Sequence, residues 1–168
     1  MSEISDLFVA LAEISGVFVG FGALIGVGRR GDIDPIELAA VRAVVISGLL
    51  VIVAALVPVL AERYGVGEPA LWRLCSLVFI VLIWLVLLLA LRSLPAREAF
   101  LASLKDNPVA ATFYWLVLEV SIQLPLVFNL IGFKPGLAHA FYTTALVVNL
   151  VQAAFLLAMI VFTDRDTA

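Results

Sequence analysis

Apolar positions along this chain come in long unbroken runs, neither alternating as in a half-buried strand nor confined to one stripe as in a soluble helix. Ala43 to Ala61 carries no charge and is closed by Arg42 and Glu62; Leu74 to Leu91 is closed by Arg73 and Arg92; Pro135 to Thr163 is the longest such run. Two more runs each hold one acid: Leu7 to Gly28 contains Glu13, and Asn107 to Phe133 contains Glu119. A hydrocarbon layer of about 30 Å is crossed by about 20 apolar residues in helical form. The pattern therefore predicts an all-α, polytopic transmembrane bundle, a single integral membrane domain over residues 1–168. Five spans are expected, at roughly 5–28, 38–61, 71–92, 110–131 and 138–162.

The connections are short and carry turn chemistry. Asp34 before Pro35 is a helix N-cap followed by a proline at the first helical position. Tyr64-Gly65-Val66-Gly67 and Lys134-Pro135-Gly136 read as turns. The longest link, between the third and fourth spans, places Phe100, Leu101 and Leu104 on one helical face, with Arg97, Glu98, Lys105 and Asp106 mostly elsewhere. It predicts a short amphipathic helix at about 95–105, lying in the membrane interface and broken by Asn107-Pro108.

Composition reinforces this. Residues of the set AVILMFWYC make up 64% of the 168 positions and charged residues 14%, and mean hydropathy is +1.20. A chain this small has too much surface for its volume to hide that much apolar side chain from water, so lipid bilayer is its expected environment. Ten basic residues against thirteen acidic ones form no polybasic patch, which argues against nucleic acid. The single cysteine, Cys75, and single histidine, His139, leave no residues for a disulfide, a thiolate metal site or bis-His ligation, and no cofactor is expected.

Lys and Arg near the span ends set the orientation. With the N-terminus outside, Arg29, Arg30, Arg42, Arg92, Arg97, Lys105 and Arg165 fall on the cytoplasmic side, against Arg63, Arg73 and Lys134 outside. The expected location is a bacterial inner membrane, N-terminus out and C-terminus in. The acidic start, with Glu3 and Asp6, does not read as a cleavable signal peptide.

The first span overlays two small-xxx-small frames, Gly16 with Gly20 and Gly22 with Gly26, on nearly opposite faces. A helix admitting close approach on two sides is expected between neighbours or between subunits. Glu13 shares the stripe of Gly16 and Gly20. The fourth span adds Glu119, Gln123 and Asn129; the fifth adds Tyr142, Asn149 and Gln152, which share a face. From a rise of about 1.5 Å per residue, Glu119 and Gln152 both lie about 3 Å from mid-depth on the same side, and Glu13 about 5 Å toward the other. The expectation is a polar interior enclosed by spans 1, 4 and 5, with Glu119 paired to Gln152 and Glu13 to Gln123 or Asn149, and spans 2 and 3 as an apolar flank. Arg73 is expected to snorkel, or to pair with Glu62 or Glu13.

Ionisable groups are costly in hydrocarbon and normally face a partner or a water-filled path. Two readings remain open. One is an oligomeric channel or transporter for a cation or proton, because carboxylate and amide oxygens suit hard cations. Five helices enclose no wide path alone, so this reading expects a homo-oligomer. The other is an accessory or assembly subunit docking a different membrane protein, with a purely structural polar network. No nucleophile stands beside a base, so no enzyme is expected.

Overall fold

The computed structural model describes residues 2–28, 35–68, 70–92, 97–98, 101, 105 and 108–163. Helices account for nearly all of these, and no strand occurs among them. Helix α1 is Ser2–Gly28, α2 is Pro35–Arg63, and α3 is Ala70–Arg92. A short helix α4 (Pro108–Thr112) runs into a π-helical stretch, Phe113–Leu118, and on into α5 (Glu119–Ile131). A 3₁₀ turn, Pro135–Leu137, leads to α6 (Ala138–Thr163). In lipid every backbone N–H and C=O must find its partner inside the segment, which is why charge-free runs of this length become helices. Four helices, α1, α2, α3 and α6, are long and apolar enough to cross a membrane; the apolar stretch Leu116–Ile131 is shorter. The expected interfacial helix at 95–105 falls almost wholly outside the described residues.

The turns follow the punctuation. Helix α2 opens at Pro35, and the capping residue expected before it, Asp34, lies outside the described residues. Its C-terminus is closed by Gly65 at φ 78°, with the Val66 N–H donating back to the Ala61 carbonyl at 3.1 Å. The end of α5 repeats the device: Gly132 has φ 72°, and the Phe133 N–H reaches the Phe128 carbonyl at 2.9 Å. Left-handed backbone at these two positions is the reason glycine closes each helix. Pro58 and Pro125 both sit inside continuous helices.

Helix α2 is the centre of the bundle, packed on α1, α3 and α6, while α5 packs between α3 and α6. This corrects the expectation that the second span forms an apolar flank. Its small and β-branched residues Val44, Val51, Ala54 and Ala55 are fully buried, and their low profile lets three helices approach it at once. The core is aromatic. Phe8 from α1 meets Tyr142 edge-on at 5.9 Å between ring centroids, Trp72 lies 5.9 Å from Tyr142, and Phe79 lies 6.1 Å from it. One ring on α6 thus ties α1 and α3 together, and its hydroxyl donates to the Ala54 carbonyl of α2 at 2.6 Å. A smaller cluster of Val41, Val44 and Ile160 closes the other end of the α1, α2 and α6 contact.

Candidate functional site

Glu119 opens α5 directly after the π-helical stretch. Such a stretch accommodates one extra residue in a helix and re-aims the side chains on either side of it. Glu119 faces α6, where the Gln152 Nε2 donates to its Oε2 at 3.3 Å. One turn along α5, the Gln123 Nε2 donates to the other carboxyl oxygen, Oε1, at 2.8 Å. Gln123 in turn accepts at Oε1 from the Trp84 indole N–H of α3 at 3.1 Å. The result is a directional chain across three helices: indole to amide, amide to carboxyl, with a second amide arriving from α6. Bonds in such a chain polarise one another, and the effect is largest in a medium of low dielectric constant.

The network is graded in exposure. Gln152 is 5% exposed, Glu119 and Gln123 are half-buried, and Trp84 is exposed. It therefore begins between α5 and α6 and reaches the bundle surface beside Trp84. Glu119 and Gln152 meet as their matched depths predict. Trp84 is the member that the residue pattern does not single out: its ring is apolar enough to look like filler, and its N–H is what joins it to the network.

The remaining expected polar residues lie elsewhere. Tyr142 is fully buried and spends its hydroxyl on α2, away from Glu119. Asn149 is buried on α6 with its Oδ1 unpartnered, and Ser15 on α1 is buried with its hydroxyl unpartnered. Tyr142 meets Phe8 at one end of the α1–α6 contact and Ile160 clusters with Ile25 at the other, so the two helices run in the same direction and both groups sit two turns beyond the aromatic core. Gly48 of α2 reaches the same level: a Cβ there would lie 3.3 Å from the Ser15 carbonyl. Asn129, further along α5, makes a separate link, donating to Ser76 Oγ at 3.1 Å and to the Ala138 carbonyl at 2.9 Å.

Glu13 is apart from all of these. It is exposed on α1, and α1 packs on α2 and more lightly on α6, not on α5. The expected pairing with Gln123 or Asn149 is absent, and spans 1, 4 and 5 do not enclose a common interior. The physical reason lies in α1 itself. Gly22 and Gly26 are the glycines that meet a neighbour, with added Cβ atoms 2.9 Å from a Val45 methyl and 3.5 Å from a Val41 methyl of α2. Docking that face turns the Glu13, Gly16 and Gly20 stripe outward, and a Cβ at Gly16 or Gly20 would meet nothing within 4 Å. Replacing Gly16 by leucine is therefore expected to leave the unfolding of a single copy within about 0.5 kcal/mol of the parent, as for an uncontacted surface position. Unfolding in detergent at concentrations that hold the chain monomeric checks this.

No three His, Cys, Asp or Glu side chains come together among the described residues. What the Glu119 cluster offers is one carboxyl with amide donors on both oxygens, set in apolar surroundings and open on one side. Comparison with protein family models, with curated proteins and with solved structures returned no match.

Proposed function

We propose that this chain is a small integral protein of a bacterial inner membrane that moves a proton or a hard cation past Glu119. In this reading it has five spans, with the N-terminus outside and the C-terminus in the cytoplasm. Leu116–Ile131 together with the turns before it supplies the fourth crossing. The observation that carries the reading is the Glu119 network itself. Its carboxyl is met by amides from two helices in the middle of apolar segments, and one side of the cluster stays open. A hydrogen bond between membrane helices contributes only about 0.6 kcal/mol on average. That is small beside the roughly 2.5–3.5 kcal/mol that placing an acidic residue in the membrane costs. Stability alone is a weak reason to keep an acid there. Gln123 and Gln152 position the carboxyl, and a cation or proton takes the place opposite them.

The experiment is flux into liposomes holding the purified protein, read by an internal pH or cation dye. Glu119→Gln keeps the shape and removes the ionisable group, and flux is expected to fall at least about tenfold, the equivalent of roughly 1.4 kcal/mol on the limiting barrier. Glu13→Gln, away from the network, leaves flux within about twofold of the parent, well under that 1.4 kcal/mol step. Flux no greater than in empty liposomes, or unchanged by Glu119→Gln, would falsify the reading.

The uncovered face of α1 favours a subunit role, either in a homo-oligomer or as an accessory to another membrane protein. An acid and two bare glycines facing hydrocarbon are better matched to another helix than to acyl chains. Cysteine at position 20 separates the two. Under mild oxidation in native membranes, Gly20→Cys is expected to give a disulfide-linked pair of identical chains in the homo-oligomer; Cys75 is buried and takes no part. A chain that stays single under these conditions points to the accessory role.

A further inference from the structure

At the end of the bundle where α3 starts, α5 stops and α6 starts, a cleft of about 10 Å³ is lined by Trp72, Arg73, Asn129, Gly132 and Phe133. That is room for one water-sized group. Asn129 is 3% exposed. Its Nδ2 spends both hydrogens, on Ser76 Oγ at 3.1 Å and on the Ala138 carbonyl at 2.9 Å. A carbonyl only accepts, so the amide can point only one way, and Oδ1 is left buried without a partner. A buried acceptor of this kind calls for a donor from outside the chain.

Arg73 lines the cleft, and Lys134 stands in the chain between two of its lining residues, Phe133 and Pro135. The Arg73 guanidinium lies over the glycine that ends α5; a Cβ on Gly132 would sit 2.6 Å from its Nη2. Bare glycine is what leaves that berth open. Lys134, held at φ 45°, places its Nζ 5.5 Å from the centre of the Phe133 ring. Both side chains are exposed. The acid close by, Glu68, is occupied by the Trp72 indole N–H at 2.6 Å. First and last helical turns lie at headgroup depth, and Ile131, Phe133 and Leu137 are exposed beside the cleft as apolar surface for an acyl chain.

We propose that this cleft binds the head of an anionic phospholipid bearing a free hydroxyl, of the phosphatidylglycerol class. Arg73 and Lys134 hold the phosphodiester at the mouth, and a headgroup hydroxyl enters and donates to Asn129 Oδ1. A phosphate oxygen only accepts, so it satisfies the cations and not Asn129; the hydroxyl is what completes the match. The site does not depend on the Glu119 reading, and its test does not involve flux.

The full-length protein in detergent is titrated with short-chain phosphatidylglycerol, with phosphatidylmethanol of the same chains, with the matching phosphatidylcholine and with glycerol 3-phosphate. Binding is read by native mass spectrometry and by thermal unfolding. Phosphatidylmethanol keeps the charge and lacks the free hydroxyl, so it is expected to bind about tenfold more weakly than phosphatidylglycerol. Arg73→Gln with Lys134→Gln, both on exposed side chains, is expected to erase the preference over phosphatidylcholine while leaving helicity intact. Asn129 ties three helices, so its removal risks the fold, and the headgroup comparison stands in for it. Equal binding of phosphatidylglycerol and phosphatidylmethanol, or an unchanged preference in the double variant, sinks the proposal. Equal protection by glycerol 3-phosphate sinks the lipid as the source and makes the ligand a soluble phosphate ester.

Discussion

Tyr142→Ala is expected to lower the stability of the folded bundle by about 3 kcal/mol. This is the low end for aromatic truncation in a core, because lipid rather than water is the alternative environment for the side chain. The ring is fully buried and touches Phe8 of α1 and Trp72 and Phe79 of α3, so its loss leaves a void bounded by two helices besides its own. Tyr142→Phe separates the hydroxyl from the ring. It keeps the packing, removes the Ala54 carbonyl's extra donor, and is expected to cost only about 0.5–1 kcal/mol. Reversible unfolding in mixed micelles, followed by helical content, gives both numbers. A Tyr142→Phe cost as large as that of Tyr142→Ala would mean that the hydroxyl, not the aromatic contacts, holds the helices together.

Gly48→Leu is expected to undock α1. Even a methyl group at this position would lie 2.6 Å from a Val19 methyl and 3.3 Å from the Ser15 backbone carbonyl. The valine side chain can give a little; the carbonyl is part of the helix and cannot. Overpacking in a tight core costs about 1–3 kcal/mol for a few methylenes, so Gly48→Ala belongs at the lower end and Gly48→Leu at or above the upper. The informative comparison is with Gly16→Leu, the same change on a glycine that meets nothing. Protease access to the α1–α2 link in membranes is expected to rise sharply for Gly48→Leu and to stay at the parent level for Gly16→Leu. Equal behaviour of the two would mean that α1 rests on α2 differently.

Much of this architecture is legible in the residue pattern, and the part that is not has an identifiable cause. Apolar runs of bilayer length locate α1, α2, α3 and α6 to within a few residues, because lipid leaves a buried backbone no alternative to the helix. The contact of Glu119 with Gln152 is legible because depth along a helix is simple arithmetic and antiparallel neighbours at equal depth meet. Which helix lies beside which is another matter. Periodicity groups Glu13 with Gly16 and Gly20, yet it cannot say whether that stripe or the Gly22 and Gly26 stripe receives α2. Both are small enough to do so, and the choice rests on Val41, Val44 and Val45 fitting one of them. The central place of α2 is hidden for the same reason, since alanines and valines look alike whether they face a neighbour or an acyl chain. The irregular turn before Glu119 leaves no trace in Phe113–Leu118, whose residues suit any helix.

That irregular turn has a mechanical corollary. One residue more than a regular ladder holds is a phase slip in an otherwise continuous rod. Winding the same residues as regular α-helix would swing the turns upstream, Pro108–Thr112, by about 100° around the helix axis. The carboxyl cluster would keep its address while the approach to it turned to a different quarter of the membrane surface. The slip thus fixes the azimuth of one side of the protein relative to the other.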